Sequence, residues 1–283
     1  MTDRYVVMGH PVAHSQSPFI HAEFARQTAQ DMTYGRLLCP LGGFEHTLKV
    51  FAAEGGRGCN VTVPFKFDAF DLANERTARG AIAGACNALR LDGDRWLGDN
   101  TDGAGLLRDI ERNAGVDLKG RRVLLVGAGG AAAGVLGPLI AAGPAQLIVA
   151  NRAAGRASEL LRSHRAAADA LRAGTLDLRA TSLADCGDAF EVVINASASS
   201  MQGAPVPVSE RVLGHGALAV DLMYGPAAKG FLRWAEAGGA VARDGLGMLV
   251  EQAAEAFELF RGLQPDTAPV LAALRRRMEA APA

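Results

Sequence analysis

Twelve residues constrain this chain more than any others: residues 123–134 read V-L-L-V-G-A-G-G-A-A-A-G. Four apolar residues suited to a buried strand run into a glycine turn, and small helix-forming residues follow. Gly127, Gly129 and Ala132 satisfy the spacing G-x-G-x-x-A. The first glycine permits the tight turn, the second lets the backbone approach a pyrophosphate, and the alanine allows close helix–strand packing. The helix start adds unpaired N–H groups and a positive dipole end. Periodicity predicts strand 123–126, helix 131–141 and strand 146–150, so the fingerprint sits inside a strand–helix–strand unit, where it carries weight.

Residues 123–151 contain no charged side chain, a length sufficient to span a bilayer. Six glycines and two prolines (Pro138 and Pro144) divide this stretch, so it reads as strand, turn, buried helix and strand.

The end of the second strand separates two cofactors. A carboxylate there accepts from a ribose 2′-hydroxyl, whereas a guanidinium pairs with a 2′-phosphate. Here the chain reads L-I-V-A-N-R-A-A-G-R, with Asn151 and Arg152 in place of the acid and Arg156 one turn later. This favours NADP. The competing reading makes both arginines solvated residues at a helix start.

From Val123 onward strands alternate with helices, which implies a parallel sheet with right-handed crossovers. Strands are predicted at 5–8, 33–38, 58–63, 175–180, 192–195 and 218–221. Helices are predicted from Ser17-Pro18 (with Ser17 as N-cap), over 43–53, from Phe65, from Asp102 to about Ala114, and over 153–164, 248–260 and 269–278. Asp92-Gly93-Asp94 between strand-like runs predicts a hairpin over 87–98. At 283 residues two domains are expected. The prediction is an α/β protein with an N-terminal α/β substrate domain, residues 1–102, completed by C-terminal helices, residues 244–283. A Rossmann-type nucleotide domain would occupy 103–243.

Composition narrows the function further. A net charge of −1 gives no general attraction to nucleic acid or anionic membrane. Cys39, Cys59, Cys86 and Cys186 are scattered, without metal-ligand spacing, and read as reduced core thiols of a cytoplasmic protein. No metal site is expected. The apolar stretch behind the opening M-T-D-R-Y is too short for a signal peptide.

Three polar patches lie where predicted strands end, the usual ligand position in open α/β sheets. They are G-H-P-V-A-H-S-Q-S-P (Ser15, Ser17), N-V-T-V-P-F-K (Thr62, Lys66) and A-C-N-A-L with G-D-N-T-D-G (Asn87, Asp102). Neutral hydroxyls and amides suit a polyhydroxylated ligand, while only Lys66 and Asp102 bring proton chemistry. Of the 29 basic residues only four are lysine (Lys49, Lys66, Lys119 and Lys229). A chain so biased to arginine keeps lysine most meaningfully where a titratable amine matters. The bland alternatives are a helix-start lysine and an ordinary N-cap aspartate.

These patches, together with G-A-G-G-A, N-R, N-A-S, D-x-x-Y and D-G-L-G-M-L-V-x-Q-A, resemble the shikimate dehydrogenase family from Gly9 to Gln252. The resemblance implies two domains about a deep cleft and a reversible NADP-linked reduction of 3-dehydroshikimate on the way to chorismate and the aromatic amino acids. It implies substrate contacts from Ser15, Ser17, Thr62, Asn87, Asp102, Tyr224 and Gln252, with the serines on a carboxylate, and proton handling by Lys66 with Asp102. It implies cofactor contacts from Gly127, Ala128, Gly129, Gly130, Ala131, Asn151, Arg152, Arg156, Leu222 and Gly245. A homodimer is left open. Departures from the common pattern are Ala153 and Ala88, each in place of threonine, and N-A-S-A-S-S at 195–200. Two alternatives have their own signatures. A quinate/shikimate enzyme of relaxed cofactor use would carry an acid at Arg152 and a threonine at Ser17. A non-catalytic NADP-binding sensor would not need Lys66 and Asp102.

Overall fold

The computed structural model describes residues 2–170 and 176–280. By internal contacts the chain divides into two units. It passes from the first to the second between Gly105 and Leu106 and returns between Met248 and Leu249.

The first unit opens with β1 (Asp3–Gly9), α1 (Ser17–Gln27), β2 (Met32–Leu38), α2 (Phe44–Ala53), β3 (Gly56–Val61), α3 (Lys66–Leu72), β4 (Glu75–Arg76) and α4 (Ala78–Ala83). The hairpin β5 (Ala88–Asp92) and β6 (Arg95–Asp99) follows, and α5 (Asp102–Arg108) begins next. Strand order is β2-β1-β3-β5-β6-β4. β2, β1 and β3 are parallel, while β5 runs antiparallel to both β3 and β6. The hairpin forms as expected: Asp92 pairs with Arg95 across Gly93, whose φ of +64° a side chain would resist. β1 lies between β2 and β3, so the strand order reverses there, and the carboxyl ends of β1 and β3 flank the natural ligand crevice. One sheet face packs Met8, Phe44, Leu48, Phe51 and Phe65 together. The other packs Tyr5 and Ala88 on Ala256 and Phe260 of the C-terminal helix segment.

The second unit contains β7 (Arg122–Val126), α6 (Gly130–Ala141), β8 (Gln146–Asn151), α7 (Ala154–Ala170), β9 (Asp177–Ser182), β10 (Phe190–Asn195), β11 (Leu213–Asp221), α8 (Lys229–Ala237) and β12 (Val241–Arg243). Its six strands are all parallel in the order β12-β11-β10-β7-β8-β9, the dinucleotide-binding arrangement. Alternation along β7 serves both faces: Val123 and Leu125 enter one core, Leu124 and Val126 the other. Each such buried side chain contributes about 1.5–3 kcal/mol. The charge-free stretch is thus strand, turn, helix and strand. Among the described residues no helix is long and apolar enough to cross a membrane. α9 (Leu246–Arg261) and α10 (Thr267–Ala280) end the chain, and α10 packs on α1.

Several expectations need correction. Ser17 is not the N-cap of α1 but its first residue. Gln16 takes the cap position without a side-chain bond, and the Ser17 N–H already donates to Ser15 Oγ at 3.3 Å. The helix expected to reach Ala114 stays α-helical only to Arg108 and finishes as a π-helical turn, Asp109–Asn113. There the buried Asp109 carboxylate accepts from Asn113 Nδ2 and from Arg243 on β12. Thr175 of the expected strand 175–180 lies outside the described residues. Strands β4 and β12 and helices α4 and α8 went unpredicted.

Candidate active site and nucleotide site

Loops at one edge of the first sheet build a polar cluster. Because β5 is antiparallel to β3, its starting end abuts the carboxyl end of β3, with Asn60 opposite Ala88. Asn87 therefore precedes a strand rather than ending one, yet reaches the same edge. Its backbone is fixed on both sides: its N–H donates to Asp99 O and its carbonyl accepts from Val61 N–H at 2.8 Å. Its buried carboxamide then organises the site. Oδ1 accepts from Thr101 N–H at 2.8 Å, while Nδ2 donates to Asp102 Oδ1 and Thr101 Oγ1, both at 2.9 Å, and to Gln252 Oε1 at 3.2 Å. Gln252 is held in turn by donation from its Nε2 to Leu249 O.

Asp102 is the first residue of α5, but its carboxylate does not cap the helix. The Asp102 N–H donates to Asn100 Oδ1 at 3.1 Å and the Gly105 N–H donates to Thr101 O, so the carboxylate faces Asn87 and Lys66 in the site. Lys66, first residue of α3, places Nζ 2.5 Å from Asp102 Oδ2. The two side chains are 14% and 7% exposed, so the pair is shielded from water without being sealed. The Lys66 carbonyl accepts from Cys86 N–H, which ties α3 to the segment carrying Asn87.

Thr62, behind β3, donates its N–H to Met8 O, and a side chain at Gly9 would overlap its methyl group. Ser15 and Ser17 follow β1, and Ser15 Oγ donates to Ser17 Oγ at 3.2 Å. The Arg36 guanidinium grips the Ser15 carbonyl at 2.6 and 3.0 Å. Tyr34 OH lies by the Ser17 hydroxyl and donates to Asn60 Oδ1 at 2.6 Å, and Asn60 Nδ2 donates to Asn87 O. Burial holds the Tyr34 phenol well above its ordinary range, so it acts here as a neutral donor. Thr101, Asn60, Tyr34 and Arg36 received no role from the sequence. Thr101 and Asn60 lie inside the polar patches at the strand ends, and a polar residue next to a strand end was the available signal.

In the second unit Gly127 adopts φ +117°, and a Cβ there would meet the Ala196 backbone at 2.9 Å. Gly129 has nothing within 4 Å of its Cβ position, so an open approach faces the start of α6. That helix carries neither a side-chain cap nor an acidic residue in its first turn, so its leading N–H groups are available to an anion. Ala128 completes the turn, Gly130 and Ala131 open α6, and Ala132 is fully buried against the sheet as the fingerprint requires. His164 on α7 steadies α6 through a contact of its Nε2 with Ala133 O at 3.2 Å. Asn151 closes the end of β8 by donating to Ala153 O at 3.0 Å. Arg152 and Arg156 are exposed beyond it, without an ion pair among the described residues. Leu222 N–H donates to Asn195 O, Gly245 N–H donates to Met223 O, and a side chain on Gly245 would strike Leu222 O. Leu222 and Gly245 are thus brought together. Tyr224 stands half-buried in the same unit, after β11. The donor set fits a dinucleotide with a 2′-phosphate: an open glycine turn, a free helix start and two guanidinium groups without an ion pair among the described residues. Among those residues no cluster of side chains could hold a metal ion.

Family models cover most of the chain. The shikimate dehydrogenase substrate binding domain matches residues 7–89, the shikimate/quinate 5-dehydrogenase model residues 109–208, and the shikimate 5′-dehydrogenase C-terminal domain residues 245–275. A shikimate dehydrogenase (NADP(+)) of Methylibium petroleiphilum is 59% identical over 99% of this chain and 96% of its own length. The chain belongs to the shikimate dehydrogenase family. Among solved structures of similar fold, an Ael1 enzyme from Pseudomonas putida is 44% identical, with a TM-score of 0.85 over 96% of this chain and 98% of that one. The shikimate 5-dehydrogenase of Thermus thermophilus, in complex with NADP(H) and shikimate, is 33% identical, with a TM-score of 0.84 over 97% of this chain and 99% of that one. Membership agrees with the fold class and the cofactor expected from the sequence.

Proposed function

We propose that this chain catalyses the reversible NADPH-linked reduction of 3-dehydroshikimate to shikimate, a step of chorismate and aromatic amino-acid biosynthesis. The carrying observation is the Lys66–Asp102 pair, 2.5 Å apart and fixed by Asn87. Gly127, Ala128, Gly129, Gly130 and Ala131 would cradle the pyrophosphate, Asn151, Arg152 and Arg156 the 2′-phosphate, and Leu222 with Gly245 the nicotinamide end. When bound, the reduced nicotinamide supplies the hydride. As the keto carbon gains that hydride, negative charge grows on its oxygen. The Lys66 ammonium stabilises the charge and delivers the proton, while Asp102 accepts a hydrogen bond from the lysine and sets its direction. In the oxidative direction the same amine takes the proton from the alcohol.

Ser15 and Ser17 hydroxyls suit the substrate carboxylate. Thr62, Asn87, Gln252 and Tyr224 suit its hydroxyls, and these neutral groups orient the ring without competing for the proton. Absorbance of reduced nicotinamide with shikimate and NADP tests the reading. No reduction overturns it, and equal turnover with quinate and NAD replaces it by the broader specificity. Retention of the lysine–carboxylate pair speaks against a sensor. The four buried free thiols support placement in the reducing cytoplasm, testable by fractionation. The homodimer left open by the sequence is a question for sedimentation.

A further inference from the structure

Asp221 ends β11 wholly buried, and no cation pairs with it among the described residues. Its Oδ1 accepts from Met223 N–H at 3.0 Å and Asn195 Nδ2 at 3.3 Å, and its Oδ2 accepts from Ser200 Oγ at 2.5 Å. Asn195, which ends the neighbouring β10, donates from the same nitrogen to Ser200 Oγ at 3.1 Å. Its own Oδ1 accepts from Ser197 N–H and from Ser197 Oγ, at 3.2 and 2.7 Å. The next residue, Ala196, donates its N–H to Val126 O and lies against Gly127 at the 2.9 Å already noted. One carboxylate thereby links the loops after β7, β10 and β11.

The loops after β10 and β11 occupy one half of the carboxyl edge, and the Gly127 turn after β7 borders that half. The strand order reverses between β10 and β7, and a dinucleotide spans such a reversal. Asn151, Arg152 and Arg156 lie beyond β8 on the adenosine side, while Asp221, Asn195 and Ser200 lie beyond β10 and β11. A purely structural role explains the carboxylate poorly. Burying an ionisable group among neutral donors stabilises a fold no better than an apolar residue of similar size would. Burial does raise its pKa, which three hydrogen bonds only partly offset. A fixed set of backbone directions is what such a cluster provides.

We propose that Asp221, acting through Ser200 and Asn195, is a positioning residue for the nicotinamide half of the dinucleotide site and leaves the adenosine half untouched. This rests on the cofactor reading above. It also gives a use to the serine-rich loop 195–200, whose Ser200 supplies the hydroxyl that Asp221 holds.

The test is calorimetric titration of the intact protein with NADPH and, separately, with adenosine 2′,5′-bisphosphate, which fills only the adenosine half. For Asp221→Ala the affinity for NADPH should fall about tenfold or more, from loss of a buried hydrogen-bonded acceptor. Affinity for the bisphosphate should change by less than about twofold. Asp221→Asn keeps Oδ1 and can donate to Ser200 Oγ, so it should recover most of the NADPH affinity. Ser200→Ala should weaken NADPH alone, by about threefold or more. If Asp221→Ala does not fold, Ser200→Ala gives the same contrast. Equal weakening of both ligands, or unchanged NADPH binding, overturns the proposal. A wild-type protein that ignores NADPH overturns the cofactor reading first, and this proposal with it.

Discussion

Lys66 Nζ and Asp102 Oδ2 stand 2.5 Å apart although 36 residues separate them in sequence. Neither is placed by its own helix alone. Lys66 is tied by its carbonyl to Cys86, and Asp102 is fixed by Asn100 at its N–H and Asn87 at Oδ1. The pair is thus a property of three loops brought to one sheet edge, so its chemistry can be separated from binding.

Lys66→Ala should lower kcat by about a hundredfold or more and leave the Michaelis constant for the keto acid within about threefold. Lys66→Arg keeps the charge but holds its proton too tightly to deliver it, so it should not restore turnover. Steady-state kinetics in both directions reads this, and near-normal turnover in either variant would remove Lys66 from the proton step.

Arg152 supplies the second prediction. Exposed beyond β8, its guanidinium has no carboxylate to satisfy among the described residues. Arg152→Ala should raise the Michaelis constant for NADP by about tenfold and that for NAD by much less, since only the former has a 2′-phosphate. Added salt should narrow the gap for the wild type. Equal effects on both cofactors would mean that Arg152 does not read the phosphate.

The glycine turn, the hairpin and the parallel order of the second sheet were legible because each rests on local chemistry: glycine freedom at Gly127 and Gly93, and two-sided burial of β7. Lys66 and Asp102 were legible as residue types at strand-to-helix junctions. Their mutual contact was not, because the antiparallel return of β5 brings Asn87 to the β3 edge, and no local pattern specifies that pairing. Asn60, Tyr34 and Thr101 were missed for the same reason: each gains its role across strands. Ser17 misled because Ser-Pro marks a helix start, whereas the Ser15 hydroxyl begins the turn two residues earlier. The π-helical turn at Asp109 sets its carboxylate against Arg243, 134 residues away. Gln252 was reachable only through the family motif.

Gly105 and Gln252 give a packing prediction. A Cβ on Gly105 would lie 2.6 Å from Gln252 N and Cβ and 2.8 Å from its Cα, against helix backbone that cannot easily yield. Gly105→Ala should destabilise the protein by about 1–3 kcal/mol. By shifting Gln252 away from Asn87 it should also raise the Michaelis constant for substrate severalfold. Urea unfolding and kinetics on one preparation read both effects, and an unchanged Michaelis constant would exclude Gln252 from substrate binding.

His21 yields a dependence on pH that is independent of catalysis. Its ring is fully buried, stacked on Tyr34 with centroids 4.0 Å apart and with Phe24, Phe257 and Phe260 each 6.1 Å away. Neither nitrogen has a hydrogen-bond partner within bonding geometry, although the nearby Asn60 amide favours the charged form slightly. Burial lowers the pKa from 6.5 to about 3. Above pH 6.5 both folded and unfolded chains carry neutral His21, and stability is unaffected. Between 6.5 and about 3 only the unfolded chain takes up the proton, so each unit of acidification costs the fold about 1.4 kcal/mol. His164, also lowered by burial, adds a change of the same sign. Comparison of the wild type with His21→Phe isolates the contribution of His21. Urea midpoints at pH 7.5, 6, 5 and 4 should fall more steeply for the wild type, and parallel profiles would show that the imidazole is not held neutral by its aromatic cage.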